Sequence, residues 1–403
     1  MADLRIAIVV PRYGQTVGGG AEALARQYAT HLARRMDVTV LTTCALEYRT
    51  WRDHFSEGAA TEDGVRICRF SVPRPRVPSD FDALSSMVLT GGEHDAAAES
   101  AWMDAQGPNA PGLIDHLAEV GDHYDAVMFI PYLYATTARG LPLVADRAVL
   151  VPALHDEPPL RLEIFRPIIE GARALVLSTP EERDLALARF TIDPARCHLV
   201  GAGIDPPPPS PSGASDFAKA HGLQRRYVVC VGRIDPSKGS DALLEHHDAY
   251  RANAPEGLDL VMLGPHAMPL PSKPWLLAPG FVSDDQKHAA IAGATALVCP
   301  STYESLSLVL LEAWSHGVPT IATAGSAVLV GQSQRAGAGL WYRNGAEYAA
   351  CVDLLDRGPA LRRALGRSGW RFTQRLEWPR VIDGLEAAIR QAAGAWKPEV
   401  AEA

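Results

Sequence analysis

The 403-residue sequence has too few positive charges to cover a polyanion: 38 Lys and Arg stand against 47 Asp and Glu, for a formal net charge of −9. A nucleic-acid surface needs a broad basic excess, so that class of function is excluded, and any anionic ligand must be met by a local group of cations. Cysteine is scarce and scattered. Its six residues (Cys44, Cys68, Cys197, Cys230, Cys299, Cys351) form no CxxC pair and no metal-ligand spacing, which excludes a disulfide framework and a structural zinc site. Cys44, Cys230 and Cys299 fall in or beside apolar runs, where Cys behaves as a small hydrophobe, and reduced thiols in a cytoplasmic protein are expected. No stretch reaches the ~18 uninterrupted apolar residues of a membrane span. The run from Ile6 to Val10 is only five residues long before Pro11 and Arg12, too short for the core of a signal peptide. A chain with no transmembrane segment is expected, and a long basic amphipathic helix that would mark a membrane face is not apparent either, which favours a soluble acceptor. Also missing is a GxGxxG fingerprint, and the strand-like run ending at Thr42 and Thr43 offers no acidic residue for an adenosine ribose. A dinucleotide-dependent oxidoreductase is therefore disfavoured.

What is present is apolar material, 47% of the residues, enough to give each half of the chain a core. Compact apolar runs recur at Arg5 to Val10, Val38 to Thr42, Ala126 to Ile130, Ala148 to Pro152 and Ala174 to Leu177. The stretch between the first two, Ala21 to Arg34, carries Leu24, Tyr28 and Leu32 at helical spacing. Strand, loop, helix, strand is the grammar of a parallel sheet, and residues 1–203 read as one α/β domain. Residues 204–216 hold a run of prolines and read as a stiff linker. The alternation then restarts: strands at Tyr227 to Val231, Leu258 to Leu263, Ala296 to Cys299 and Pro319 to Thr323 are separated by helical stretches, giving a second α/β domain over 217–378. Residues 379–403 read as a closing helix, expected to pack back toward the first domain, and a polar tail. Residues 73–111, rich in Pro, Gly, Ser and Asp, show no clear period and read as an irregular excursion on the acceptor side. Two Rossmann-like domains of this kind are expected to bind ligand at the carboxyl ends of their strands, in a central cleft.

Four constellations can carry chemistry. Val231-Gly232-Arg233-Ile234-Asp235-Pro236-Ser237-Lys238-Gly239 follows a strand and precedes a helix. Arg233 offers a planar fork of donors and Lys238 a mobile point charge, a pairing suited to a diphosphate, although a surface turn with two solvated cations fits the spacing equally. Glu304-Ser305-Leu306-Ser307-Leu308, then Glu312, follows the next strand but one. A helix starting near Ser305 would turn its free N–H groups on phosphate oxygens, and the eight residues from Glu304 to Glu312 span about 12 Å, roughly the reach of a diphosphate between a sugar and a ribose. Each carboxylate then offers two acceptor oxygens to vicinal hydroxyls; the plainer reading makes Glu304 a helix-start acid and Glu312 a solvated one. Gly18, Gly19 and Gly20 precede the first helix, where glycine lets backbone N–H groups approach a phosphate or sugar, or simply makes a flexible turn. His155 and Asp156 lie just past the end of a strand; a lone His there is more often structural than catalytic.

Gly232-Arg233 with Lys238-Gly239, then Glu304 and Glu312 seven residues apart, then His316-Gly317-Val318-Pro319, resemble the second half of the retaining glycosyltransferases of family 4, which have the GT-B fold of two facing Rossmann-like domains. The glycine loop, the proline-rich linker and the closing helix extend the resemblance over nearly the whole chain. It implies a hexosyltransferase whose donor is a nucleoside diphosphate sugar, working with no cofactor and no metal ion. It places Arg233 and Lys238 on the diphosphate, Glu304 on the transferred sugar, Glu312 on the ribose, and the backbone of Ser305, Leu306, Ser307 and Leu308 around phosphate. Gly19 and Gly20 would border the donor, with Gly18 and Asp156 on the acceptor side. His155, matching a functional His of the family, would join Glu304 in catalysis, with Asp156 orienting its ring. The family often has glycines where this chain has Ser305 and Ser307, which adds Cβ atoms beside the ligand and weakens any inference about which sugar is carried. The acceptor implied is a small molecule, a glycan or a lipid-linked sugar. A non-catalytic nucleotide-sugar-binding protein and a sugar-nucleotide epimerase are the alternatives.

Overall fold

The computed structural model describes residues 4–206 and 213–394. The chain divides into two units, one of Met1–Ala202 with Pro379–Ala403, the other of Gly203–Trp378. Of the linker expected at 204–216, residues 207–212 lie outside the described residues.

The first unit is built on an eight-stranded sheet ordered β3-β4-β2-β1-β5-β6-β7-β8. Its strands are β1 (Arg5–Val9), β2 (Asp37–Thr43), β3 (Gly58–Glu62), β4 (Val65–Phe70), β5 (Ala126–Phe129), β6 (Ala148–Leu150), β7 (Ala174–Leu177) and β8 (Cys197–Leu199). Every pairing is parallel except that of β3 with β4. The central strands are apolar along their length because helices cover both faces: Ile6, Ile8, Val40, Val127, Phe129 and Leu175 are all buried. In register, Ile8 lies opposite Val40 on one side and Met128 on the other.

Residues 73–111 are not the irregular excursion that their composition suggests. They hold two helices, Pro78–Leu89 and Ala96–Gln106. Proline sits at the start of the first, where its missing N–H costs nothing, and Asp95 caps the second by accepting from the Ala98 amide at 2.8 Å. Val88, Trp102 and Met103 are buried between them and the sheet, and the Trp102 indole N–H donates to Ser85 at 3.0 Å. The closing helix, Trp378–Ala392, buries Val381, Ile382, Leu385, Ala388 and Ile389 at helical spacing. It belongs with the first unit, where Arg35 donates to Asp383 at 2.6 Å and His198 meets Gln391 at 2.5 Å.

The second unit carries a six-stranded parallel sheet ordered β11-β10-β9-β12-β13-β14. Its strands are β9 (Tyr227–Val231), β10 (Asp259–Leu263), β11 (Leu276–Gly280), β12 (Ala296–Cys299), β13 (Thr320–Thr323) and β14 (Gly339–Tyr342). β9 and β12 are neighbours, with Val229 opposite Leu297. The loops that follow them, which hold Arg233, Lys238 and Glu304, therefore leave the same edge of the sheet side by side.

Candidate functional site

On the second unit the geometry starts from two glycines and an aspartate. Gly239 has φ +72, and a Cβ there would stand 2.5 Å from the carbonyl oxygen of Pro300. Only glycine combines that left-handed backbone with so close an approach, and the approach brings Lys238 against the loop after β12. Asp235 caps the short turn Pro236–Lys238 by accepting from the Lys238 amide at 3.2 Å. It also accepts from Ser237 Oγ at 2.5 Å and pairs with Arg233 Nε, while Arg233 Nη2 donates to Ser237 Oγ at 3.2 Å. Burial works against the Asp235 carboxylate, but the bonds from Ser237 and Arg233 hold its pKa below the ordinary value. Arg233 is thereby fixed at the mouth of the sheet.

Lys238 Nζ donates to Glu304 Oε1 at 3.0 Å and lies 3.5 Å from Ser301 Oγ. Burial alone would lower the pKa of the ammonium; the charge and hydrogen bond of Glu304 outweigh it and raise the value. The structure thus brings together Arg233, Lys238 and Glu304, three of the residues singled out from the sequence.

One expectation needs correction. The helix does not begin near Ser305: it spans Leu308–Ser315, with Ser307 as its N-cap. Residues 304–307 are loop, because Gln332, buried on a neighbouring helix, reaches in to accept from the Ser307 amide at 3.0 Å, and the Ser307 hydroxyl faces the Cys299 thiol at 3.9 Å. Of the four backbone positions assigned to phosphate, Ser307 already spends its N–H within the protein. The Ser307 side chain makes no capping bond, so it is the first-turn amides of Leu308 to Leu310 that have no intrahelical partner. Glu312, expected at the ribose end and with a partner of its own, meets a cation. Lys287, on the Asp284–Gly293 helix, donates to Glu312 Oε1 at 2.8 Å and stands 3.1 Å from Asp284, and these two acids lift the Lys287 pKa against the effect of burial. Glu312 Oε2 is buried with no hydrogen-bond partner among the described residues, which leaves one oxygen of this carboxylate for a hydroxyl group. Sequence reasoning missed Lys287, whose twenty-five-residue separation from Glu312 carries no local signal.

On the first unit, His155 sits in the loop after β6. Ala153, two residues before it, has φ +56, a left-handed conformation uncommon outside glycine. The Asp156 side chain is exposed and 3.9 Å from Arg161. Glu157 stands nearer the ring: its Oε1 is 3.1 Å from His155 Nδ1, a charge contact rather than a hydrogen bond, and it accepts from the Tyr132 hydroxyl at 2.9 Å. A carboxylate one residue further along reaches the ring because the Glu157 amide bonds back to the His155 carbonyl at 2.7 Å and folds the loop over.

Beneath this loop lies a group that the sequence did not reveal. Glu182, only 1% exposed, accepts from the Leu154 amide at 2.7 Å and from the Ser178 amide at 2.6 Å. It ties the loop of His155 to the end of β7. Burial pushes its pKa up to about 7, against the lowering by the two amides and by His155. In sequence it is an acid three residues into a helix after Thr179, which reads as ordinary N-terminal capping.

The glycine loop is stiffened from below. Gly19 has φ +146, and Arg12 pairs with Glu22, donates to the Gly18 carbonyl at 3.1 Å and to the Leu46 carbonyl at 3.1 Å. A Cβ at Gly18 or Gly20 would meet no atom within 4 Å, so those two positions face open space and Gly19 serves the backbone.

Residues 225–356 match the family model of the glycosyl transferases group 1. The D-inositol 3-phosphate glycosyltransferase of Mycobacterium tuberculosis (strain H37Rv) is 27% identical over 414 residues, covering 94% of this chain and 80% of that protein. The chain is a glycosyltransferase of the GT-B type. Solved structures share the fold of this GT-B glycosyltransferase. Sucrose-phosphate synthase from Thermosynechococcus elongatus superposes with a TM-score of 0.71 at 20% identity, over 98% of this chain and 100% of the other. Anabaena Alr3699/HepE in complex with UDP and glucose gives 0.67 at 15% identity, over 95% and 98%. No described helix of this glycosyltransferase is long and apolar enough to cross a membrane.

Proposed function

We propose that this chain is a family 4 retaining hexosyltransferase, active in the cytoplasm without a metal ion, that takes its sugar from a nucleoside diphosphate sugar. The observation that carries the reading is the cluster at the carboxyl ends of β9 and β12. There Lys238 is held 3.0 Å from Glu304, Arg233 is braced by Asp235 and Ser237, and the helix at Leu308 opens without a side-chain cap. Two fixed cations and a positive helix end suit a leaving diphosphate, whose growing negative charge is what such a site stabilises most. Glu304 sits beside the cation that would neutralise the phosphates, which suits it to hydroxyls of the attached sugar. Glu312, with Oε2 unsatisfied, is assigned to the ribose. Donor binding is assigned to the second unit, and His155 with Glu157 on the first unit to turnover. The complex of Anabaena Alr3699/HepE with UDP and glucose makes UDP-glucose the first donor to try. The acceptor is a hydroxyl of a small molecule, a glycan or a lipid-linked sugar.

A panel of nucleoside diphosphate sugars, scored by thermal stabilisation and by slow hydrolysis in the absence of acceptor, tests this reading. At least one donor should stabilise and turn over, with the released sugar first appearing in the donor's own anomeric form and with no effect of EDTA. A panel without any stabilising donor would end the proposal, and product of inverted configuration would end its retaining part.

A further inference from the structure

We infer that the outer face of the Pro359–Thr373 helix is a docking surface for an anionic phospholipid bilayer. In a chain of net charge −9, residues 359–376 carry Arg362, Arg363, Arg367, Arg371 and Arg375 and not one Asp or Glu. Contrary to the sequence reading, a basic amphipathic helix is therefore present. Arg362 is turned inward and donates to the Leu355 carbonyl at 3.1 Å. Arg363, Arg367 and Arg371 are exposed at steps of four residues, with the exposed Trp370 three residues after Arg367, so they share one face, and Arg375, also exposed, lies in the turn just past the helix.

The opposite face is fixed. Gly366 and Gly369 are buried, with a Cβ at the first running into Gly317 and a Cβ at the second standing 2.8 Å from Trp314. The helix cannot roll to hide its arginines.

Succession along one element, rather than lack of pairing alone, separates these arginines from the rest of the surface, where Arg34, Arg52, Arg74 and Arg173 also stand exposed with no carboxylate among the described residues. Arg35, Arg139, Arg166, Arg225, Arg226 and Arg390 each meet a carboxylate. Among the described residues Arg363, Arg367, Arg371 and Arg375 meet none. A row of uncompensated guanidinium groups repels itself unless an anionic surface faces it. Trp370, 48% exposed, stands within that row. An indole with a wet N–H edge and an apolar body suits the headgroup level of a bilayer, and it distinguishes a lipid surface from a polyanion that would need cations alone. Beside it, a shallow depression of about 510 Å³ runs between Arg363 and Arg367 on one side and Ser315, His316 and Gly317 on the other. The guanidinium forks on its rim match phosphate oxygens. This face meets the C-terminal end of the helix that begins at Leu308, away from Glu304, so lipid contact there tethers the protein without occupying the donor cluster.

Flotation with vesicles of phosphatidylcholine alone, or mixed equally with phosphatidylglycerol, tests the assignment on the full chain. The wild-type protein should float with the mixed vesicles at low salt, stay behind with the neutral ones, and be released by high salt. Each of Arg367→Gln and Arg371→Gln should weaken binding about fivefold, and Trp370→Ala should weaken it as well, with far-UV circular dichroism and thermal unfolding unchanged. Failure of the folded wild type to float with the mixed vesicles would overturn the inference. So would equal binding to neutral vesicles, flotation at wild-type affinity of a variant carrying both Arg367→Gln and Arg371→Gln, or binding to soluble heparin without flotation.

Discussion

Replacing Glu182 by Gln changes the pH dependence of stability in a way that no surface substitution can copy. The wild-type carboxyl is fully buried, and its pKa rises from an ordinary 4.5 to about 7. Between those values the folded protein keeps a proton that the unfolded chain has released. Stability therefore falls as pH rises through this window, and it is flat above it. A shift of about 2.5 units at about 1.4 kcal/mol each makes the loss about 3 kcal/mol. Glutamine does not titrate, so the variant escapes that loss. It also turns an NH2 group toward one of the two amides that Glu182 accepts from, Leu154 or Ser178; an unsatisfied buried donor costs about 1–3 kcal/mol. The variant should be less stable than the wild type at about pH 5 and equal to it or more stable at about pH 8. Thermal unfolding of both proteins across that range reads the crossing directly. Because Glu182 holds the loop that carries His155, turnover should fall about tenfold or more, as expected for about 1.4 kcal/mol of lost positioning, while nucleotide affinity on the second unit stays unchanged. Unfolding curves that run parallel from acid to alkaline pH would refute the reasoning.

Two further outcomes follow from the same geometry. Gly239→Ala places a Cβ 2.5 Å from the Pro300 carbonyl at φ +72, and should cost about 1–3 kcal/mol of stability along with most of the nucleotide-induced thermal shift. Glu157→Gln should lower turnover about tenfold by removing the negative charge 3.1 Å from His155 Nδ1, whereas Asp156→Asn, at an exposed side chain, should change it less than about twofold; steady-state rates on the identified donor separate the two.

The fold was legible wherever strands are buried on both faces, because Ala126–Phe129 or Ala296–Cys299 can only be apolar when helices lie above and below. It was illegible at β3, an edge strand whose Gly58, Ala59, Ala60 and Thr61 are all exposed and so carry no alternation. The Pro78–Leu89 and Ala96–Gln106 helices were hidden by the proline and glycine around them, although Trp102 packs them onto the sheet. Within the site, Lys238 and Glu304 could be read from their places after two strands, since the strand order makes their loops neighbours. Glu157 could not be singled out beside Asp156 as a neighbour of His155, because adjacency in sequence says nothing about which way a loop folds back. Glu182 and Lys287 act on partners 28 and 25 residues away, and only the packed structure pairs them.

Titration of the nucleoside diphosphate of the stabilising donor into the wild-type protein, Arg233→Met and Lys238→Met, by calorimetry, bears most directly on the central assignment. Each substitution removes a charge-assisted contact of about 1.5–3 kcal/mol, so each should raise Kd by about tenfold to a hundredfold, with the same loss for the intact sugar nucleotide. Wild-type affinity in both variants, in protein that unfolds at the wild-type temperature, would contradict it.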